Sequence, residues 1–120
     1  MTVPKIAVIY YSLYGHVAKL ANTAAEGVKA KGGEATIYQF QETLSDEVLA
    51  KMSAAPKENH PVITPNDLKQ YDGFIFCIPT RYGRAVAQVS AFFDMTGGLW
   101  ASQALNGKMA TIIVSTGTQH

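Results

Sequence analysis

Tyr10–Val17, with the sequence YYSLYGHV, is the stretch that decides the fold. It follows an apolar run, Ile6 to Tyr11, that is typical of a buried β-strand, and it opens an amphipathic helix at about His16. A strand that turns through hydroxyl and glycine residues into a helix forms an anion site, because N–H groups and the positive helix end converge there. The turn contains no Lys or Arg, so neutral donors such as Ser12 are expected to hold a phosphate monoester rather than a nucleoside triphosphate. An ordinary strand-to-helix turn is the alternative interpretation.

Composition limits the classes of protein that this chain can represent. Its 120 residues fit one domain, residues 1–120, and 48% of them are hydrophobic, which is enough for a core. The net charge of +1 does not suggest a nucleic-acid partner or a polybasic membrane surface. The single cysteine, Cys77, cannot form an internal disulfide and suits a reducing compartment such as the cytoplasm. No apolar run approaches transmembrane length, so no integral membrane segment is expected.

Strand-like and helix-like signals alternate along the chain. The first helix is predicted over 17–31, with Val17, Leu20, Ala21, Ala24, Ala25 and Val28 on its apolar face. Strands are predicted at Ile6–Tyr11, Ala35–Phe40, Gly73–Ile78 and Met109–Val114. Shorter helices are predicted at 45–52, capped by Ser45, and at 65–69. A further helix is predicted over 85–95, with Val86, Val89, Phe92 and Phe93 inward and Gly97-Gly98 ending it.

This alternation predicts an α/β fold with a doubly wound parallel sheet. Ligands of such sheets bind at the carboxyl ends of the strands. Three predicted strands end in segments rich in small, hydroxyl and aromatic residues: 12–16, 79–83 and 115–118. We therefore expect these segments to converge on one edge of the sheet.

The three segments offer complementary chemistry for a flavin. The first supplies donors for a phosphate, and the second (Pro79, Thr80, Arg81, Tyr82, Gly83) offers backbone N–H groups, a cation and an aromatic ring. The third (Ser115, Thr116, Gly117, Thr118) supplies hydroxyls beside a flat ring. Donors at the carbonyl edge of an isoalloxazine would stabilise its reduced, negatively charged form. A surface salt bridge for Arg81 and simple packing for Tyr82 are the alternatives.

Four ordered motifs carry a family resemblance that runs over essentially the whole chain. They are Tyr11–His16 (YSLYGH), Pro79–Gly83 (PTRYG), Thr96–Ala101 (TGGLWA) and Ser115–Thr118 (STGT). Together they resemble the WrbA-type flavodoxin-like NAD(P)H:quinone oxidoreductases, most of all the plant and fungal branch. Further likeness occurs at 42–44, 51–54 and 63–65.

The resemblance implies a flavodoxin-like fold, bound FMN and two-electron reduction of quinones by NADH or NADPH. It assigns the FMN phosphate to Ser12, Leu13, Tyr14, Gly15, His16 and Val17. It assigns the flavin ring to the second segment, and the third FMN loop to Ser115 onward. Tyr14 matches a nicotinamide-contacting position and Trp100 a position in the substrate pocket; packing at the end of the core is the alternative for Trp100. The resemblance identifies no catalytic residue in this chain.

Two departures from the family concern the end of the chain. Members continue the third loop with glycines where this chain has Gln119-His120, and they are longer, so the likeness covers about their first three fifths. The predicted sheet accordingly ends after its fourth strand and lacks the fifth strand of a flavodoxin-like fold. The fourth strand would then be an apolar edge, from which we expect association into homo-oligomers.

Other classes fit the sequence less well. The chain lacks the glycine patterns G-x-G-x-x-G and G-x-x-x-x-G-K-[ST] of dinucleotide-binding and P-loop sites. Acidic residues are missing where a phospho-receiver would need them, and the spacing of the three histidines predicts no metal site. Cys77 lies inside a predicted strand and is a poor candidate for a nucleophile. A one-electron flavodoxin-type carrier and a flavin-free interaction fragment remain as non-catalytic alternatives to the enzyme.

Overall fold

The apolar run before the turn forms the central strand of a parallel sheet. This computed structural model describes residues 3–57, 59–81 and 84–116. Strand β1 (Lys5–Tyr10) pairs in parallel with β2 (Glu34–Gln39) on one side and with β3 (Gly73–Arg81) on the other. A short strand, β4 (Arg84–Ala85), pairs antiparallel with the end of β3, and β5 (Met109–Ser115) pairs in parallel with the rest of β3. The parallel strands thus follow the order β2-β1-β3-β5, which confirms the predicted fold class.

Helices cover both faces of this sheet, as a doubly wound fold requires. They are α1 (His16–Ala30), α2 (Asp46–Lys51), α3 (Ala87–Asp94) and α4 (Gly97–Ser102), with a 3₁₀ helix at Pro65–Gln70. The prediction that Ser45 caps α2 is confirmed, since its hydroxyl accepts a hydrogen bond from the Val48 N–H at 3.3 Å.

Side chains of β1 alternate between two hydrophobic clusters, one on each face. Val8 and Tyr10 pack towards α1, whereas Ala7 and Ile9 pack on the opposite face, which α3 and α4 cover. Every one of these four side chains is buried, because β1 is central and has a strand on either side. The continuous apolar run in the sequence therefore reflects burial on both faces.

The first helix contacts the sheet through a narrower stripe than predicted. Its buried side chains are Val17, Ala18, Ala21 and Ala25, and the small alanines let the helix approach β1 closely. Leu20, which we predicted on the apolar face, is 38% exposed because it lies at the margin of that stripe.

Three boundaries in the second half differ from the predictions. Strand β3 continues to Arg81 instead of ending at Ile78, because its last residues pair with β4. Gly97 and Gly98 begin α4 rather than ending the preceding helix, which stops at Asp94. The glycine pair predicted the end of a helix but not that a second helix begins at the same residues. Two glycines do not prevent a helix that packing against the rest of the fold stabilises.

Phe93 was predicted to point inward, and this prediction is wrong. Helix α3 buries Gln88, Val89 and Phe92, which places Phe93 at the edge of the packed stripe with 45% of its surface exposed. Its ring still contacts the rings of Phe76 and Phe92, at centroid distances of 5.4 and 5.7 Å. The aromatic contact therefore lies at the margin of the core.

The two edges of the parallel sheet differ. Beside β2, the Gln39 N–H donates to Pro61 O and the Gln39 carbonyl accepts from the Ile63 N–H, both at 2.9 Å. The loop that contains residues 61–63 therefore covers this edge at Gln39. Beside β5, no other strand pairs among the described residues. Met109, Ile112 and Val114 of β5 are 78%, 61% and 50% exposed. An open apolar strand of this kind promotes pairing with another chain.

We expect Ile112→Lys to reduce self-association of the 120-residue chain, because a charge on an open edge opposes strand pairing. Its effect on the free energy of unfolding should stay within about 0.5 kcal/mol, since the side chain is mostly exposed. Analytical ultracentrifugation over a concentration series measures the association. Ile112→Val is the matched control that keeps an apolar β-branched residue. Equal association of all three proteins would contradict the prediction.

Candidate functional site

The carboxyl ends of β1, β3 and β5 enclose one cavity. Its volume is about 360 Å³, within the range of small-molecule sites. The structure thus brings together residues from all three segments singled out in the sequence. The lining residues are Tyr11, Ser12, Leu13, Tyr14, His16, Val17, Pro79, Thr80, Val86, Ser115 and Thr116.

The turn between β1 and α1 is closed by its own hydrogen bond and leaves the start of α1 without a side-chain cap. Ser12 Oγ accepts a hydrogen bond from the Gly15 N–H at 3.0 Å, which closes the turn. Gly15 has φ +92°, a left-handed conformation that favours glycine. No side chain caps α1 and no acidic residue lies in its first turn, so the positive end of the helix is not neutralised by its own residues.

The other two segments contribute hydroxyl groups near the ends of their strands. Pro79 and Thr80 line the cavity from within β3, so this part of the predicted loop is a strand. Ser115 ends β5, and Thr116 follows it on the same wall. The remaining predicted residues of these segments, Tyr82, Gly83, Gly117 and Thr118, and the side chain of Arg81, lie outside the described part of the chain.

Tyr14 and His16 line the mouth of the cavity. Tyr14 is 52% exposed, and its hydroxyl donates to the carbonyl of Met52 at 3.1 Å. His16 is exposed at the first position of α1. Gly15, between them, shapes the turn without lining the cavity itself.

Trp100 lies apart from these residues. Its side chain is on α4, is 84% exposed, and lines a separate groove of about 450 Å³ with Leu99 and Leu105. The alternative that Trp100 packs at the end of the core is therefore wrong; Leu99 is the residue of α4 that packs there. Trp100 is instead a large apolar surface residue.

The carboxylate of Glu42, for which no local sequence pattern predicts a role, contacts Tyr11 of the cavity wall. Glu42 accepts hydrogen bonds from Tyr11 Oη at 2.8 Å and Gln88 Nε2 at 2.9 Å, and it forms an ion pair with Lys57 Nζ at 2.7 Å. It also accepts from the N–H groups of Thr43 and Leu44. Local patterns carry no signal for this cluster, because its members come from four separate parts of the chain.

These contacts control the protonation of Glu42. Burial alone would raise its pKa, but hydrogen bonds from Lys57, Tyr11, Leu44 and Gln88 outweigh burial and lower the pKa from 4.5 to about 2. Glu42 is therefore ionised at neutral pH, and only 15% of its side chain is exposed.

Two further titratable side chains, Tyr10 and Cys77, are buried in β1 and β3. Burial raises the pKa of the Cys77 thiol to about 11, which disfavours the thiolate and fits the prediction that it is no nucleophile. Tyr10 Oη and His60 Nδ1 lie 2.8 Å apart. Among the residues that the structure describes, no cluster of three or more His, Cys, Asp and Glu side chains suits a metal ion. Within the same residues, no helix has the length and apolar character needed to cross a bilayer.

Comparison with known proteins identifies relatives along nearly the whole chain. Residues 4–120 match the family model described as NADPH-dependent FMN reductase. The chain is 56% identical to NAD(P)H quinone oxidoreductase PST1 of Candida albicans, covering 95% of this chain and 58% of that protein. It is 54% identical to quinone-oxidoreductase QR2 of Triphysaria versicolor, covering 96% and 57%. The chain thus spans somewhat more than half the length of the curated relatives that it matches.

Solved structures agree on the fold. A flavodoxin, WrbA-like protein from Agrobacterium tumefaciens matches with a TM-score of 0.70 at 24% identity, covering 98% of this chain and 62% of that chain. A flavodoxin of Streptococcus pneumoniae TIGR4 matches with a TM-score of 0.65 at 15% identity, covering 93% and 61%. At these identities the likeness establishes a flavodoxin-like fold.

The low pKa of Glu42 predicts a specific dependence of stability on pH. A carboxyl group with a lowered pKa in the folded state stabilises the fold above its unfolded pKa, and this contribution is lost as the pH falls towards 2. The stability difference between the wild type and Glu42→Gln should therefore shrink by about 2 kcal/mol between pH 7 and pH 2.5. Urea denaturation at a series of pH values measures it.

Glu47→Gln is the matched control for this experiment. Glu47 pairs with Lys51 on the surface, where the two side chains are 79% and 75% exposed. Its replacement should leave the dependence of stability on pH close to that of the wild type. A constant difference between wild type and Glu42→Gln across the pH range would contradict the prediction.

Proposed function

The chain belongs to the NADPH-dependent FMN reductase family, and on that premise we propose that it binds FMN and uses NADH or NADPH to reduce quinones by two electrons. The observation that carries the proposal is the cavity at the carboxyl ends of β1, β3 and β5, which includes the first turn of the uncapped helix α1. This is the edge of a parallel sheet at which ligands bind.

The residues present fit an FMN group. Under this proposal the turn of residues 12–17 holds the phosphate, through backbone N–H groups and the Ser12 hydroxyl. The segment 79–83 contacts the flavin ring and its carbonyl edge, and the segment 115–118 completes the site. Bound FMN would supply the redox chemistry by accepting a hydride from NAD(P)H and passing it to the quinone. The chain's own contribution is to bind and orient the cofactor and to place both substrates over it, with Tyr14 beside the nicotinamide.

Finer assignments follow from the same premise. We place the chain in the WrbA-type branch of quinone oxidoreductases, with a quinone as substrate and the cytoplasm as its location. The named quinone oxidoreductases from a yeast and a plant support this branch. The exposed apolar strand β5 supports assembly into homo-oligomers.

Two non-catalytic alternatives predict different results from the enzyme in a spectral titration. A one-electron carrier docks on basic partners through an acidic surface, which a net charge of +1 does not favour. The second alternative, a flavin-free interaction fragment, would bind neither FMN nor FAD. A yellow protein that is bleached by NAD(P)H and reoxidised by benzoquinone supports the enzyme. Bleaching by one-electron donors alone supports the carrier.

We expect the purified chain to bind FMN and not FAD, because the compact turn of residues 12–17 offers one phosphate site and no site for a second nucleotide. Fluorescence titration measures binding of each flavin, and chromatography of the denatured protein identifies any cofactor that co-purifies. Preferential binding of FAD, or no binding of FMN, would contradict the proposal.

Substitutions in the turn should weaken FMN binding. Ser12→Ala removes a donor to a charged acceptor and should cost about 1–2 kcal/mol of binding free energy. Gly15→Val should cost more, because a valine resists the φ of +92°, although a Cβ at Gly15 would meet no atom within 4 Å. Gly27→Val is the control, since Gly27 lies on α1 with equally open space around it. Unchanged affinity in both turn variants would place the anion site elsewhere.

Under the proposed function Trp100 contacts the quinone, since it matches a substrate-pocket position of the family, so Trp100→Ala should raise the KM for quinone. FMN affinity should stay nearly unchanged, because Trp100 is exposed and lies outside the cavity lining. Steady-state kinetics and flavin titration of the same preparation measure both quantities. Met95→Ala, at a residue that is 55% exposed just before α4, is the control. An unchanged quinone KM in Trp100→Ala would contradict a role in substrate binding.

A further inference from the structure

One short segment, residues 52–57, contacts three consecutive residues of the turn; we call it the clasp segment. The carbonyl of Met52 accepts from Tyr14 Oη at 3.1 Å, and the Ala55 N–H donates to Leu13 O at 2.9 Å. Lys57 Nζ donates to Ser12 O at 3.0 Å. The clasp segment therefore runs antiparallel to the turn and holds it at each successive residue.

Two of these contacts determine the direction of backbone donors. In a planar trans peptide the C=O and the following N–H point in opposite directions. With Ser12 O bound to Lys57 and Leu13 O bound to Ala55, the N–H groups of Leu13 and Tyr14 point away from the clasp segment. Both residues line the cavity. The contacts thus favour the peptide orientation in which N–H groups, rather than carbonyl oxygens, are available to an anion.

Lys57 is itself held in place on two sides. Its Nζ forms the ion pair with Glu42 and lies 4.6 Å from the centroid of the Tyr11 ring. Only 31% of its side chain is exposed, so much of its solvation is replaced by these contacts.

The Glu42 carboxylate that pairs with Lys57 is itself held by the buried side-chain amide of Gln88. Gln88 is 2% exposed and donates through Nε2 to Glu42, while its Oε1 has no hydrogen-bond partner among the described residues. Reversal of the amide would place Oε1 against the carboxylate and create repulsion. The unpaired oxygen is therefore tolerated so that Gln88 can orient Glu42.

We infer that Lys57, anchored by Glu42, is a positioning residue that holds the turn of residues 12–15 in the conformation that binds a phosphate monoester. This inference rests on the proposed function, because FMN is the ligand whose phosphate the turn would hold. Lys57 acts through the Ser12 carbonyl, and the binding groups remain the N–H groups and the hydroxyl of the turn.

The test compares FMN with riboflavin, which has the same ring and no phosphate, on the 120-residue chain. Lys57→Met should raise the Kd for FMN about tenfold, the loss expected for a hydrogen bond to a charged group, and change the Kd for riboflavin less than about twofold. Lys57→Arg keeps the charge and the donors and should restore most of the FMN affinity. Lys51→Met, at an exposed surface pair, is the control for the lost charge and should bind both flavins like the wild type.

Two outcomes overturn the inference: equal FMN affinity in wild type and Lys57→Met, or an equal loss of both flavins together with a lower Tm, which indicates a merely structural role. Failure of the wild type to bind FMN instead overturns the proposed function. In that case amide hydrogen exchange on the ligand-free chain still tests whether Lys57 holds the turn in place. Exchange at residues 13–15 should be faster in Lys57→Met, with exchange in the middle of α1 unchanged; equal exchange at residues 13–15 overturns the inference.

Discussion

The carboxylate of Glu42 accepts hydrogen bonds from Tyr11 just after β1, from Gln88 of α3 and from Lys57 of the loop after α2. Of these donors, Tyr11 lines the cavity itself, and no covalent connection brings the three parts of the chain together at this point. A partly buried charge is tolerated only when it is fully paired, and Glu42 meets that condition with five donor groups. The position of the turn relative to the helices thus depends on satisfying one charge.

The sequence predicted the elements that local patterns encode. Continuous apolar runs identified β1 and β3, and the spacing of apolar residues over 17–31 identified α1. It also predicted that three strand ends would meet, because the edge at which parallel strands end follows from chain direction alone. The width of the buried apolar stripe on α1 and the exposure of Phe93 were less well predicted, because both depend on how closely each helix approaches the sheet.

The clasp segment and its ion pair were beyond this kind of prediction. Glu42, Lys57 and Gln88 are separated by 15 to 46 positions, and each is unremarkable in its own local sequence. Gln88 even occupies a position on α3 where an apolar residue would satisfy the periodicity. Its burial is explained only by the carboxylate that it contacts, which belongs to a different part of the fold.

The sheet presents different backbone groups to an approaching strand at its two edges. Gln39 of β2 is already bridged by residues 61–63, whereas β5 is open among the described residues. At the outer edge of β2, a strand that approached Gln39 would have to displace residues 61–63. Pairing of β5 with β5 would be isologous and would close on itself as a two-fold dimer with a continuous sheet. Residues 61–63 thereby restrict edge-to-edge pairing at the carboxyl end of β2.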